Sequence, residues 1–158
     1  MRSCSDVHNF LVEAGVDHEI VHLPALSTTA RRAADLLEVG LHEIVKSLLF
    51  MTDAGPLICL VSGDAQVDID RVRTESGSRR CSLAPPADVL ALTGYRPGAM
   101  PPCALKNELP VLADEAVFEE RVVYCGGGTT TTMVKIRSAD LRRLLDPRVA
   151  AIAAPPPE

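Results

Sequence analysis

Lys46 is the residue of this sequence whose chemistry stands out first. It is one of only three lysines among sixteen basic residues, and it lies inside the apolar run Ile44–Phe50. Alternation along a strand puts its side chain on the same face as Ile44 and Leu48. An ammonium on an apolar face is costly unless it is paired or borders a pocket. Two interpretations remain open: a lysine whose charged end reaches water, or a cation facing a cleft to hold a carbonyl, carboxylate or phosphate.

The segment Gly94–Pro102 is a loop rich in glycine and proline. Its glycines allow unusual dihedrals and its prolines stiffen the chain. The two prolines at its end have no N–H, so free donors must come from Gly98, Ala99 and Met100. Such a loop can present backbone amides to a ligand oxygen, as an oxyanion hole does. An ordinary turn is the alternative.

Three glycines and four threonines follow the apolar strand that ends at Cys125. The glycines suggest a close approach of the backbone to a ligand, with threonine hydroxyls nearby. The segment lacks the Walker lysine and the GxGxxG spacing, so a nucleotide phosphate loop is not supported. A flexible hairpin turn is the alternative interpretation.

The elements that must position these residues follow from hydrophobic periodicity and from turn and cap residues. Helices are predicted over 5–14, 30–38, 69–75, 86–92 and 139–145, and strands over 18–23, 43–51, 57–62, 81–83, 110–113, 122–125 and 132–136. Strands and helices mingle without strict alternation, which indicates an α+β single domain around one sheet. The domain is assigned to residues 1–152, and 153–158 to a Pro-rich disordered tail.

Composition excludes several classes of protein. The chain has 158 residues, of which 47% are hydrophobic, so it can bury a core. It contains no apolar run long enough for a membrane span and no signal-peptide pattern, so we expect a cytoplasmic protein without a membrane partner. The five cysteines form no CxxC pair, so a disulfide framework is not expected. His18 and His22 stand four residues apart but lie in a predicted strand, the wrong geometry for a helical metal pair, so neither a metal nor another cofactor is expected.

The charge pattern limits contact with nucleic acid. The net charge is −5, and aromatic residues make up only 3%, too few for a base-stacking platform. Residues 71–96 hold five arginines against two acidic residues, whereas residues 107–120 hold five acidic residues and no basic residue. A polyanion is therefore expected to approach one side only, and weakly.

The motifs taken together resemble the YbaK/ProRS-associated editing domain family over about residues 5–152. The resemblance rests on the lysine strand Ile44–Phe50, on Thr93-Gly94-Tyr95 with Gly98 and Pro101-Pro102, on Leu109-Pro110 with Asp114-Glu115, on Gly126-Gly127-Gly128-Thr129 ahead of Ala139-Asp140-Leu141, and on His22-Leu23-Pro24 with Thr28-Thr29-Ala30 and Ala33-Ala34. It implies a curved mixed β-sheet flanked by helices. It also implies a free-standing aminoacyl-tRNA deacylase that touches the tRNA acceptor end and, as a further candidate partner, an aminoacyl-tRNA synthetase.

The resemblance also implies roles for particular residues, in a reaction that uses neither a metal nor a Ser/His/Asp triad. Lys46 would position the substrate, and the backbone amides of Gly98 and Ala99 would polarise the ester carbonyl. Water, or a substrate group such as the ribose 2′-hydroxyl, would attack. Substrate-binding candidates are Thr28, Thr29, Met100, Pro102, Asp114, Gly127, Gly128 and Thr129. The expected substrate is a tRNA mischarged with a small amino acid, with proline tRNA as one candidate.

Two alternative functions, from other classes of protein, remain open on the sequence alone. A non-catalytic module could bind an aminoacyl or nucleotide end in the same pocket. A thiol redox protein could use Cys103, which lies beside the glycine-proline loop. Detection of ester hydrolysis selects the enzyme over the binding module, and a thiol of low pKa is required for the redox protein.

Overall fold

A mixed β-sheet forms the centre of the structure, which is a computed structural model describing residues 1–154. The helices are α1 (Cys4–Glu13), α2 (Ala30–Leu37), α3 (Ile69–Glu75), α4 (Pro86–Thr93) and α5 (Ser138–Leu145). The strands are β1 (His18–His22), β2 (Ile44–Thr52), β3 (Gly55–Ser62), β4 (Gln66–Val67), β5 (Cys81–Leu83), β6 (Val111–Asp114), β7 (Val122–Gly126), β8 (Thr132–Arg137), β9 (Arg148–Ala150) and β10 (Ala153–Ala154). Short 3-10 turns cover Leu41–Glu43 and Glu115–Phe118.

The main sheet has the strand order β1-β8-β7-β2-β3-β6-β9, and β5 pairs with the far end of β2. The pairs β2–β7, β3–β6 and β6–β9 are parallel, and the other pairs are antiparallel. A second small sheet joins β4 to β10. The predicted class, an α+β domain with a mixed sheet flanked by helices, is confirmed.

The longest strand, β2, lies in the middle of the sheet, and residues on both of its faces are buried. Val45 and Leu49 point into the main core with helices α1, α4 and α5. Ile44 and Phe50 point to the opposite face, where Ile44 packs with α2 and Phe50 with α3. Lys46 lies on this second face, between the two clusters, as strand alternation predicts.

The predicted helices and strands are observed, with ends that differ by one or two residues. The three strands that sequence reasoning missed, β4, β9 and β10, have two or three residues each, which is too short for an alternating pattern. None of the helices in residues 1–154 is both long enough and apolar enough to cross a membrane.

The start of the predicted tail is ordered. Ala153 and Ala154 pair with Val67 and Gln66, and the preceding Ile152 is fully buried. The assignment of a disordered tail from residue 153 onward is therefore wrong for these two residues. They pair with the backbone of β4, and no local sequence pattern predicts this pairing. Residues 155–158, the rest of that tail, lie outside the described residues.

Candidate functional site

A cleft of about 410 Å³ opens at the start of β2. Five separate stretches of chain form its walls: the segment before and into α2, the first half of β2, the turn after β3, the glycine-proline loop, and the facing ends of β7 and β8. The lining residues are Ser27, Thr28, Thr29, Ala30, Arg31, Ala33, Ile44, Val45, Lys46, Ser47, Leu48, Gly63, Gly98, Met100, Gly126 and Met133. The structure thus brings together five of the residues predicted for the site: Lys46, Gly98, Thr28, Thr29 and Met100.

Lys46 is held in place within the cleft by the turn that follows β3. Its ammonium donates a hydrogen bond to the carbonyl oxygen of Ala65, and the side chain is half-buried. Burial lowers the pKa of Lys46 below its ordinary value, and the nearby carboxylate of Asp64 partly offsets this effect. The side chain therefore offers an oriented cation whose charge is only partly screened by water.

A buried tyrosine at the start of the glycine-proline loop holds the loop in place. The hydroxyl of Tyr95, a fully buried residue, donates to the carbonyl of Ala104 at 2.8 Å and so ties the two ends of the loop together. Burial raises the pKa of Tyr95 to about 12, so the hydroxyl keeps the proton that it donates. No local sequence pattern marks Tyr95 for this role, since the hydrogen bond joins residues nine positions apart.

The tip of the loop is a tight turn centred on Pro97 and Gly98. The amide of Ala99 donates to the carbonyl of Arg96 at 3.1 Å, and Gly98 has φ +81°. Proline followed by a residue with positive φ is the pattern of a type II turn. A Cβ at Gly98 would lie 2.8 Å from the carbonyl oxygen of Thr28, so glycine is required both by the dihedral and by the contact.

The turn changes which amides are available to a ligand. The carbonyl of Arg96 accepts from the amide of Ala99, so this amide is not a free donor, contrary to the prediction from the sequence. Within residues 1–154, the amides of Gly98 and Met100 donate to no protein group, and both residues line the cleft. These two N–H groups of the loop are free to donate to an oxygen bound in the cleft.

The glycines at the end of β7 and just after it contact the glycine-proline loop. The amide of Gly128 donates to the carbonyl of Ala99 at 2.9 Å, and a Cβ at Gly126 would lie 2.4 Å from the carbonyl oxygen of Met100. Gly127 packs against Thr132, whose hydroxyl is 2.7 Å from that of Thr129. The close backbone approach predicted for this segment is thus to the protein's own loop. The predicted residues Gly127, Gly128 and Thr129 do not line the cleft, whereas Gly126 does.

Other predicted residues have other partners. Thr29 caps α2, because its hydroxyl accepts from the amide of Arg32 at 3.1 Å, although the residue still borders the cleft. Pro102 lines a separate cavity beside α1 and α5. Asp114 is buried away from the cleft, where its Oδ1 accepts from the amides of Ile152 and Ala153, at 2.9 and 3.1 Å. Asp114 thus fastens the end of the chain to the sheet.

Replacing Asp114 with alanine is expected to lower stability and leave catalysis intact. The substitution would leave three amides without their acceptor, one buried and two partly buried, since Oδ2 also accepts from Ala116. We expect a loss of about 3 kcal/mol and a fall of about 10 °C in the unfolding midpoint, measured by circular dichroism. Asp53, whose exposed carboxylate accepts from two amides, is the matched control, and Asp53→Ala should cost less.

The same variant separates a structural from a catalytic role for this carboxylate. Deacylation by Asp114→Ala, measured well below its unfolding midpoint, should proceed at the rate of the unchanged protein. A rate that falls strongly while the midpoint stays in place would contradict the structural assignment.

Eleven of the sixteen lining residues were not predicted as site residues, and three of them are polar, charged or otherwise distinctive side chains: Arg31, Ser47 and Met133. Arg31 is exposed in the first turn of α2 and brings a second cation to the rim of the cleft. The position of Arg31 after the cap at Thr29 could have suggested it. No sequence signal marks Ser47 or Met133, because their place in the cleft depends on where neighbouring strands end.

The thiol chemistry considered for Cys103 is contradicted by its surroundings. All five cysteines are free, and Cys103 is buried. Burial raises the pKa of the Cys103 thiol to about 12, so it carries no reactive thiolate near neutral pH. Residues 1–154 also contain no group of three or more His, Cys, Asp and Glu side chains placed to hold a metal ion.

The fold and the cleft together define a class of protein, a small α+β domain whose cleft holds an oriented lysine and free backbone amides. The chain belongs to the aminoacyl-tRNA editing domain family, whose model matches residues 24–144. The family predicted from the sequence is confirmed, and so is the enzyme class, aminoacyl-tRNA deacylase.

Known proteins with similar sequences and structures agree with this assignment. The chain is 30% identical over 95 residues to the multifunctional Ser/Thr-tRNA deacylase ProXp-y of Escherichia coli, covering 59% of this chain and 56% of that protein. It is 29% identical over 101 residues to a proline–tRNA ligase of Lactiplantibacillus plantarum, covering 64% of this chain and 18% of the ligase. A crystal structure of a candidate trans-editing enzyme for prolyl-tRNA synthetase superposes with a TM-score of 0.90 at 30% identity, covering 98% of both chains.

Proposed function

We propose that this protein hydrolyses the ester bond of a tRNA mischarged with a small amino acid, acting as a free-standing editing enzyme. The observation that carries the proposal is the cleft itself, in which Lys46 faces the same space as the free amides of Gly98 and Met100. A cleft of about 410 Å³ that also receives the terminal ribose leaves room for only a small side chain.

The proposed chemistry is stabilisation of an oxyanion. Water adds to the ester carbonyl, the carbonyl oxygen gains negative charge, and the amides of Gly98 and Met100 donate to it. The bond to the ribose oxygen then breaks, which releases the free amino acid and the tRNA. Lys46 positions the ester and ribose oxygens, so that orientation supplies part of the rate. No metal or other cofactor takes part in this proposal.

Contact with the tRNA is proposed to be brief and confined to its acceptor end. The net charge of −5 disfavours a broad grip on a polyanion, and the arginine-rich stretch 71–96 is the local exception. The similarity to part of a proline–tRNA ligase makes proline tRNA the first tRNA to test and a synthetase a candidate partner. The cytoplasmic location expected from the sequence stays a prediction.

The test of the proposal is single-turnover deacylation over a panel of mischarged tRNAs. Proline tRNA and a second tRNA would each be charged with small and large amino acids, and release of the amino acid would be followed with time. Hydrolysis of the esters of small amino acids is expected. If the protein binds these tRNAs without hydrolysing any ester, the alternative of a non-catalytic binding module with the same pocket replaces the proposal.

The lowered pKa of Lys46 predicts a pH dependence. If the cationic form positions the substrate, kcat/KM corrected for spontaneous hydrolysis should fall as the pH rises through that lowered pKa, below the range in which lysine ordinarily titrates. Asp64 raises the pKa of Lys46, so Asp64→Asn should move the falling limb to lower pH.

Asp88→Asn is the matched control for this experiment, because Asp88 is exposed in the first turn of α4 and does not line the cleft. Its profile should coincide with that of the unchanged protein. An alkaline limb that stays in place in Asp64→Asn would contradict titration of Lys46 as its origin.

A further inference from the structure

Arg2 lies in the short segment before α1 and contacts both ends of the glycine-proline loop. Its amide donates to the carbonyl of Gly94 at 2.9 Å, and its guanidinium donates through Nη1 to the carbonyl of Ala104 at 3.2 Å. The side chain of Arg2 also lies against Gly94, where an added Cβ would be 3.0 Å from its Cγ and Cδ. One residue from outside the loop therefore joins the two points at which the loop leaves and rejoins the rest of the domain.

Ala104 is an end of the loop that needs such support. It has φ +60°, in the left-handed region that is unfavourable for a residue with a Cβ. A buried residue keeps such a conformation only when its surroundings hold it there. Its carbonyl accepts from the hydroxyl of Tyr95 as well as from Arg2. Without Arg2, Tyr95 would be the one group among the described residues that still donates to this carbonyl.

Arg2 is itself held in place by α1. The next residue, Ser3, caps this helix, and its amide donates to Oδ2 of Asp6 at 2.7 Å. On its other side, the backbone of Ser3 would lie 2.9 Å from a Cβ at Gly128, whose amide donates to the carbonyl of Ala99. The segment before α1 therefore supports the ends of the loop directly and its tip through Gly128.

The guanidinium of Arg2 lies outside the cleft. Arg2 borders a separate cavity with Gly94 and Lys106, and it is not among the described residues that line the cleft around Lys46. None of the ion pairs within residues 1–154 includes Arg2, so its charge strengthens the bond to the Ala104 carbonyl. A substitution of Arg2 can change the reaction through the loop or through a contact with tRNA outside the cleft. These two effects differ in the kinetic constant that they change.

We propose that Arg2 is a positioning residue for ester hydrolysis, which holds the glycine-proline loop so that the amides of Gly98 and Met100 face the developing oxyanion. This inference rests on the proposed function, since it concerns the same reaction. Donors aimed at an oxyanion act in the transition state, so a small displacement of them slows catalysis without weakening the binding of the substrate. Loss of the Arg2 donor should therefore lower kcat and leave KM nearly unchanged.

The experiment compares two variants of Arg2 that keep an unbranched side chain and differ in the donor. The constants kcat and KM would be measured well below each unfolding midpoint, on the mischarged tRNA that the unchanged protein hydrolyses fastest. Arg2→Met removes the donor and should lower kcat about tenfold, with a change in KM of less than about twofold. Arg2→Lys keeps a cationic donor and should retain at least about half of kcat, because a single bond to a carbonyl does not need the planar guanidinium.

Arg148→Met is the matched control. Arg148 also donates to a backbone carbonyl through Nη1, that of Glu75, and it lies on β9, outside the cleft. Its kcat should equal that of the unchanged protein. Hydrogen–deuterium exchange adds a measurement that needs no substrate: the amides of residues 95–104 should exchange faster in Arg2→Met and at the normal rate in Arg2→Lys.

The two kinetic constants decide between positioning and other roles. The inference is overturned, and the editing function left in place, if kcat of Arg2→Met is unchanged, if Arg148→Met falls equally, or if only KM rises, which would mark Arg2 as a contact with the tRNA. If Arg2→Met does not fold by circular dichroism, Arg2→Gln, whose side chain is too short to reach Ala104, replaces it with the same expectation. Failure of the unchanged protein to hydrolyse any ester overturns the function itself, before any variant is compared.

Discussion

Replacing Lys46 with alanine is expected to slow single-turnover deacylation by about 100-fold or more, because the cleft would lose its oriented cation. Lys46 is bound to the carbonyl of Ala65 and faces the amides of Gly98 and Met100 across the cleft. The substitution shortens a half-buried side chain on a central strand, and the unfolding midpoint should therefore be measured alongside the rate.

Two further variants test whether the loss of rate comes from the loss of the positive charge of Lys46. Lys46→Met keeps most of the aliphatic chain and removes the ammonium, so it should be as slow as Lys46→Ala. Lys135→Ala removes an exposed lysine from β8, outside the cleft, and should react at the normal rate. If Lys46→Met hydrolyses the ester as fast as the unchanged protein, the cation has no part in the reaction and the proposed mechanism fails.

Replacing Gly98 with alanine should slow the reaction by about 100-fold through displacement of the loop. The new Cβ would lie 2.8 Å from the carbonyl oxygen of Thr28, and the residue would keep a φ of +81° only under strain. The turn must shift away from α2 or change its dihedrals. Either change moves the amides of Gly98 and Met100 from the position that an oxyanion would occupy.

Gly77→Ala is a control that carries the dihedral strain without the contact. Gly77 has φ +69°, and no atom lies within 4 Å of an added Cβ there. It follows α3, outside the cleft, so the variant should lose some stability and keep its rate. Equal rates for Gly98→Ala and the unchanged protein would show that the loop amides do not contact the reacting ester.

The long elements of this fold could be predicted from the sequence because their signals are local. The run from Ile44 to Phe50, the hairpin that follows it and the amphipathic α1 each carry a hydrophobic period and a cap or turn residue. The pairing of β1 with β8 joins His18 to Ile136, and no local pattern encodes such a register. The short strands β9 and β10 depend on distant partners in the same way.

The residues of the site also fall into two groups, those that a local sequence signal marks and those whose place depends on distant contacts. Lys46 is recognisable because a charged residue interrupts an apolar strand, and Gly98 because glycine and proline restrict the loop. Asp114 looked equally suitable, yet its carboxylate is used by the backbone of Ile152 and Ala153. Ser47 and Met133 line the cleft because of where neighbouring strands end, which is a property of the whole sheet.

The wide separation along the chain of the residues that form the cleft has a consequence for protein synthesis. The cleft draws its walls from residues 27–33, 44–48, 98–100 and 126–133, so most of the chain must leave the ribosome before these walls can meet. Contacts between residues this far apart form slowly, because long loops must close first. The nascent protein therefore acquires its editing site only after Met133, the last of the lining residues along the chain, has left the ribosome.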